Sequence, residues 1–367
     1  MIKAKCSTSL YIIIFIVYVL SSCSRRVADD SAVYGAGQAL GTEGSVAAAI
    51  KPQPLFPQIH TNLNGMVTEF VRSMHQDTKG NYWFGSNTNG IIRYDGQALE
   101  KVAPGEDLKW FSVREIREDK EGNVWFGTSS GLIKYDGQAF TVYSRNDGLL
   151  SEEIWGLYID STGMIWVGTL DGVFQFDGTK FTPFALPETM VENPDHMLSD
   201  KLVMEFLQDR NGTMWFVMDA NGIFTYTKGK FTHLTNKNGL TDNSVADILQ
   251  DRKGNIWIGT FYGGMSKYHN GNYVNFTKDG VIEGIETYNL LEDRQGNVWF
   301  SAEHYGVYKY DGAVFTQFTT QDGLASNGVQ NIYEDIKGQI WFSTWHGMSL
   351  YDGEKIMDAV EAEPWTN

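Results

Sequence analysis

The sequence predicts an all-β fold, a seven-bladed β-propeller with four antiparallel strands per blade. The first observation is a periodic tryptophan: Trp83, Trp125, Trp166, Trp215, Trp257, Trp299 and Trp341, separated by 42, 41, 49, 42, 42 and 42 residues. The second is the text around it, Asp-x-x-Gly-x-x-Trp, as in DKEGNVWFGT at 119–128 and DRKGNIWIGT at 251–260. The third is a Gly-hydrophobic-x-x-aromatic run a few residues on, usually closed by Asp-Gly, as in GLIKYDG at 131–137. A fixed period of ~42 residues marks a repeat architecture, and four strands per repeat is the make-up of a propeller blade.

Each element has a local cause. In the fifth unit the β-type runs are 245–250, 255–260, 265–268 and 273–277. Between the first two, Asp-x-x-Gly-Asn supplies an Asp side chain to bond the turn backbone and a Gly for positive φ. Tyr-Asp-Gly between the third and fourth runs is a hairpin signal. An outer FTxF-type strand follows at 140–143, 181–184 and 315–318. The repeated Trp is expected to pack sheet against sheet. Aliphatics of the first run recur three residues apart (Val113 and Ile116, Val245 and Ile248), which predicts a bulge or strong twist there.

An open solenoid is the competing arrangement. Seven is a closing number, and the termini look complementary. Residues 55–60 (LFPQIH) resemble the start of FTQFTT at 315–320, whereas 354–360 lacks those aromatics. An N-terminal strand is therefore expected to close the ring, in place of the C-terminal one or beside it, which removes exposed sheet edges.

The first 22 residues read as a signal peptide. Lys3 and Lys5 precede an apolar run from Leu10 to Leu20, long enough for a signal core and too short to span a bilayer. Leu20-Ser21-Ser22-Cys23 then resembles the bacterial lipobox, which makes Cys23 the expected lipidation site. Residues 23–52 are small, polar and aperiodic and read as a flexible tether; 53–360 is the propeller and 361–367 a tail. Cleavage before Cys23 removes two lysines and takes the net charge from −16 to −18. That balance argues against a nucleic-acid partner, whose phosphates need a basic face. The two cysteines, Cys6 and Cys23, lie outside the repeats, so a disulfide scaffold, Cys-ligated zinc and a Cys nucleophile are excluded.

The WxGTxxGLxxYDG core, with DGLxxxxV between units, resembles the two-component regulator propeller repeat. All seven units carry it; GLTDNSVADILQDRKGNIWIGT at 239–260 is a specific match. That resemblance implies an extracytoplasmic ring that binds a ligand, often a glycan fragment, and passes the event to a kinase. The sequence contains no kinase, receiver or DNA-binding module, so the resemblance implies the binding scaffold and not signalling as a whole.

Topology orients the candidate site. With strands A to D counted outward, the A–B and C–D turns share one face and are near-identical among units. The B–C loops and D-to-A crossings share the other and differ from unit to unit. The expected ligand face is the divergent one. It carries Trp110, Trp155, Tyr262, Tyr288, Glu303 and His304, together with Tyr305, Trp345 and His346. Flat aromatic faces beside polar groups suit a sugar or another planar ring. Arg72 and Arg114, one unit apart near the channel, offer a place for a single carboxylate. Residues 186–200 are the one long insertion, either a lid over that face or slack. The Gly-x-Ser-x-Gly at 127–131 sits at an ordinary repeat position between two strands and is not a nucleophile elbow.

The function expected is a membrane-tethered, ligand-binding propeller of sensor type. No catalytic residue, metal or cofactor is expected, and the ligand is a glycan fragment or another small molecule. Two alternatives stand beside it. One is a docking propeller for an envelope transporter or sensor protein. The other is a metal-assisted lyase resembling streptogramin lyases, built on Glu303, His304 and His346. The expected location is the outer membrane, held through the lipid.

Overall fold

The computed structural model describes residues 71–358 except 88, 89, 97, 98, 103, 105–110 and 191–197. Cys23, the leader, the tether, the 55–60 segment, Trp110, Trp365 and the middle of the long insertion lie outside the described residues. The described chain forms seven four-stranded antiparallel sheets, each built from consecutive strands. The first blade runs from Val71–Gln76 to Leu99–Val102 and the seventh from Val329–Glu334 to Ile356–Asp358. In the fifth blade the strands are Val245–Gln250, Ile256–Thr260, Met265–His269 and Asn272–Asn275, within two residues of the sequence reading.

The recurring Asp makes the A–B turn and the tryptophan one object. In every blade the indole Nε1 donates to that Asp, at 2.7–3.1 Å. The other carboxylate oxygen takes backbone amides of the turn, as Asp251 takes Asn255 N at 2.8 Å. The turn glycines have φ between 78° and 91°, a region a side chain disfavours. The Trp ring thus held lies between its own sheet and an aromatic of the next: Trp83 on Tyr135 at 5.1 Å, Trp257 on Tyr310 at 5.3 Å, Trp299 on Tyr351 at 5.2 Å. Trp341 meets Tyr82 of the first blade at 6.0 Å, so the closing seam repeats the others.

The ring closes by side-chain and core contacts as well. Ser343 Oγ donates to Val71 O at 2.7 Å, and Gln76 N donates to Tyr333 Oη at 2.8 Å. The fourth strand of the seventh blade is Ile356–Asp358, paired with Gly347–Tyr351, and Ile356 is buried where blades 2 to 6 place an aromatic. An N-terminal strand therefore does not replace it. One aliphatic residue is enough, because Phe318 and Tyr351 already fill that seam.

The three-residue spacing has the expected cause. A register shift lies in the first strand of all seven blades, between Val113 and Glu115 or Val245 and Asp247, for example. Each bulge leaves an extra residue unpaired on the first strand of its blade. In the sixth blade the irregularity is longer, and Asn289 adopts φ 57°.

Candidate functional site

The bulge residues build the channel mouth on the loop face. Arg72, Arg114 and Trp155 come from the first three blades. Arg114 lies over the Trp155 ring at 4.1 Å and Arg72 at 5.6 Å. These are cation–π distances, so Trp155 holds two guanidiniums rather than offering a bare face. Arg114 is otherwise committed: Nη1 donates to Ile154 O and Nη2 to Glu153 Oε2, both at 2.8 Å. Arg72 has no hydrogen-bond or ion-pair partner among the described residues. Burial and then Arg114 push its guanidinium down to about 10.

The sixth and seventh blades supply the opposite arc. Tyr288 Oη donates to Glu303 Oε2 in a short bond. The Glu303 side chain is only 6% exposed, and its Oε1 lies 3.9 Å from Nδ1 of the exposed His304. His304, at φ 67°, meets Trp345 edge-on at 5.8 Å. Glu286 enters this cluster from the preceding crossing, because Glu303 N donates to Glu286 O at 2.9 Å. Burial and then Glu303 push Glu286 up to about 7. Burial also raises Glu303. Tyr262, Tyr305 and His346 are exposed on the same face and make no side-chain bond to this cluster.

Glu286 was not among the sequence candidates. The signal for it was there: in five blades the first B–C loop residue donates to the last crossing residue, with a constant separation. The pairs are 129 with 112, 219 with 202, 261 with 244, 303 with 286 and 345 with 328. A carboxylate at both members of one pair marks a spot where two charges are forced together.

Below the mouth lies a second charged layer, also absent from the candidates. Arg117 Nη1 is 2.6 Å from Glu115 and Nη2 is 3.9 Å from Glu205. Asp247 accepts from Leu290 N at 2.6 Å and Ile248 N at 2.7 Å. Burial raises all three carboxyls, Asp247 to about 7. Desolvation opposes the charge of Arg117, but Glu115, Glu205 and Asp247 outweigh it and raise its pKa. Arg117 thus sits among three acids in a buried network that shares charge.

The turn face is occupied by structural bonds. Arg252 Nη1 donates to Arg294 O at 2.8 Å and Arg294 Nη1 to Ile336 O at 2.7 Å, clasping blade to blade. A shallow pocket opens there between blades 5 and 6, lined by Asp251, Trp257, Lys267 and Glu292. Its acids are already engaged, Asp251 by Trp257 and Glu292 by Arg252 N at 2.9 Å. The loop face therefore remains the better candidate, despite that pocket. The long insertion is pinned to this face at its ends, by Thr189 Oγ1 accepting from Asn221 and Ser199 Oγ donating to Leu170 O at 2.6 Å. The Gly-x-Ser-x-Gly stretch is the hairpin loop between Val124–Thr128 and Gly131–Tyr135.

The pKa of Glu286 carries a stability prediction. Its folded-state value of about 7 exceeds the usual 4.5, so the folded protein keeps a proton that the unfolded chain releases. The stabilisation is full below pH 4.5 and is lost as pH rises through 7. Glu286→Gln is expected to abolish that decline and to stabilise the protein at pH 8 by about 1–3 kcal/mol. Urea unfolding from pH 4 to 9 checks this; equal stability of both proteins at pH 8 refutes it.

The two-component regulator propeller model matches residues 112–130, 148–171, 239–262 and 323–346, in blades 2, 3, 5 and 7. Among curated proteins none matches the chain. The extracellular domain assigned to the hybrid two-component system BT3049 of B. thetaiotaomicron is 23% identical, with TM-score 0.53. The match covers 79% of this chain, which spans 46% of that domain. A virginiamycin B lyase from Staphylococcus aureus is 14% identical with TM-score 0.62, over 81% of this chain and 97% of the lyase. At these identities the likeness is one of fold. Two-component regulator propeller repeats thus lie in four blades of this seven-bladed ring.

Proposed function

We propose that this protein is a membrane-tethered, extracytoplasmic propeller of sensor type that binds a small polar ligand at the channel mouth of its loop face. It carries out no chemical step of its own. The observation that carries this is the mouth itself: bulge residues that vary from blade to blade, with the Arg72 guanidinium left without a hydrogen-bond or ion-pair partner among the described residues. A repeat scaffold gains specificity only where its repeats differ, and here they differ around the axis. Glycan fragments are the ligand class the family resemblance suggests.

The lyase reading draws on the fold shared with streptogramin-type lyases. It has less support, because among the described residues no group of three or more His, Cys, Asp or Glu is placed to hold a metal. Glu303 and His304 form a pair, and His346 is not joined to it. The tether rests on Cys23; among the described residues no helix is long and apolar enough to cross a membrane.

One two-armed experiment tests the proposal. Wild-type protein is expected in the membrane fraction and Cys23→Ala in the soluble one. The purified protein is expected to bind a component of a mixed saccharide and small-peptide panel by calorimetry, without turnover. Unchanged fractionation removes the tether, and product formation moves the protein to the enzymes. A folded protein that binds nothing in the panel removes the small-ligand reading and leaves protein docking.

A further inference from the structure

The channel mouth carries opposite charges on two arcs that make no ion pair with each other among the described residues. On one arc Arg72 presents a guanidinium with no ion pair or hydrogen bond among the described residues, and Arg114 beside it strengthens the positive field. Glu115, the carboxylate whose charge acts on Arg72, is spent on Arg117 at 2.6 Å. On the other arc Glu286 has no side-chain partner among the described residues. Glu303 is 94% buried by side chain, and Oε1 has no hydrogen-bond partner. Its ion-pair neighbour among the described residues is the His304 imidazole at 3.9 Å, whose side chain is 75% exposed. Tyr288 stands between the arcs: its hydroxyl bonds Glu303, and its charge state is felt by Arg72.

Desolvated charges without partners are costly unless something supplies them. A neutral ligand would bury both arcs further and pair neither. An anion would meet Glu286, Glu303 and an overall charge of −16. A cation would satisfy the acids and leave Arg72 bare. A molecule carrying both charges satisfies both arcs, with the guanidinium fork suited to a carboxylate.

We propose that the mouth recognises a small zwitterion, such as an amino acid or short peptide, with its carboxylate on Arg72 and its protonated amine between Glu286 and Glu303. This rests on the reading that the mouth is the ligand site, and narrows the ligand from any small polar molecule to one class. The amine takes the role of cation partner to two carboxylates that otherwise repel each other. Trp155 and Arg114 position Arg72 rather than touching the amine.

The test is calorimetry on the whole protein with the free L-amino acids, di- and trialanine, their C-terminal amides, their N-acetyl forms, and neutral oligosaccharides. The best-binding zwitterion is expected to lose at least tenfold in affinity as its amide and again as its N-acetyl form. Arg72→Gln is expected to erase the difference between acid and amide while keeping that between amine and N-acetyl. Glu286→Gln is expected to do the reverse. Because that substitution is expected to raise stability, its loss of binding would not reflect unfolding; melting curves verify both variants. Binding of a neutral oligosaccharide, unchanged by either substitution, overturns the zwitterion and leaves the small-ligand reading standing. Failure of every probe to bind the folded protein overturns both.

Discussion

Asp293→Ala is expected to destabilise the propeller by about 3–5 kcal/mol. The carboxylate is 2% exposed and takes three donors: Asn297 N at 2.8 Å, Asn297 Nδ2 at 2.7 Å and Trp299 Nε1 at 2.8 Å. Alanine leaves all three without the acceptor, and each buried unsatisfied donor costs about 1–3 kcal/mol. The indole suffers most, because Trp299 is fully buried and cannot turn its Nε1 to water. Loosening Trp299 also loosens Phe318 of its own blade and Tyr351 of the seventh, which pack on it at 5.7 and 5.2 Å. Asp293→Asn keeps one acceptor oxygen but turns an amide toward a donor, so a loss of about half that size is expected. Denaturant unfolding followed by tryptophan fluorescence measures both. If alanine and asparagine cost the same and less than 1 kcal/mol, the Asp–Trp bond is not what holds the blade.

Gly168→Ala has an effect of similar size through a different cause. A Cβ at Gly168 would lie 2.0 Å from Val203 O and 3.1 Å from Val203 C, both backbone atoms of the fourth blade. Neither can rotate away, so the two blades must separate, at a cost of about 3 kcal/mol or more. Gly163→Ala is the control. Its Cβ meets nothing within 4 Å, but its φ of 90° penalises any side chain, so the loss is about 1 kcal/mol. A melting temperature lowered equally by both would place the penalty in the backbone conformation and not in the interface. The equivalent position is Val217 in the fourth blade and Ser343 in the seventh. There Val217 is buried in the neighbouring core, and Ser343 Oγ bonds Val71 O. Each seam is therefore fitted to its own residue, and exchanging Gly168 for the valine of the fourth blade is expected to be worse than alanine.

These two positions mark what sequence can and cannot convey. The Asp293 turn and the Trp299 anchor were legible because their spacing of six residues recurs seven times, whereas the bond between them came from the structure. The blade count, the strand order and the bulges behind the three-residue aliphatic spacing were legible for the same reason: each is a local rule repeated. Gly168 looked like any other glycine of its motif. Its role depends on how closely the fourth blade's first strand approaches, and that distance is written in no local window.

The candidate site divides along the same line. Glu303, His304 and Trp345 were found as members of divergent loops, and Arg72, Arg114, Trp155 and Tyr288 as members of the inner strands. Their sequence positions did not reveal that Arg114 covers the Trp155 ring, that Tyr288 reaches Glu303, or that Glu286 joins them. Nor did they reveal the layer of Glu115, Arg117, Glu205 and Asp247, contributed by the second, fourth and fifth blades. By itself the sequence determined the repeating unit, because turn chemistry and strand alternation act over a few residues. Only the closed ring decided which side chains share the axis, because closure brings residues from non-adjacent blades within bonding distance, and burial there sets which charges have partners and which do not.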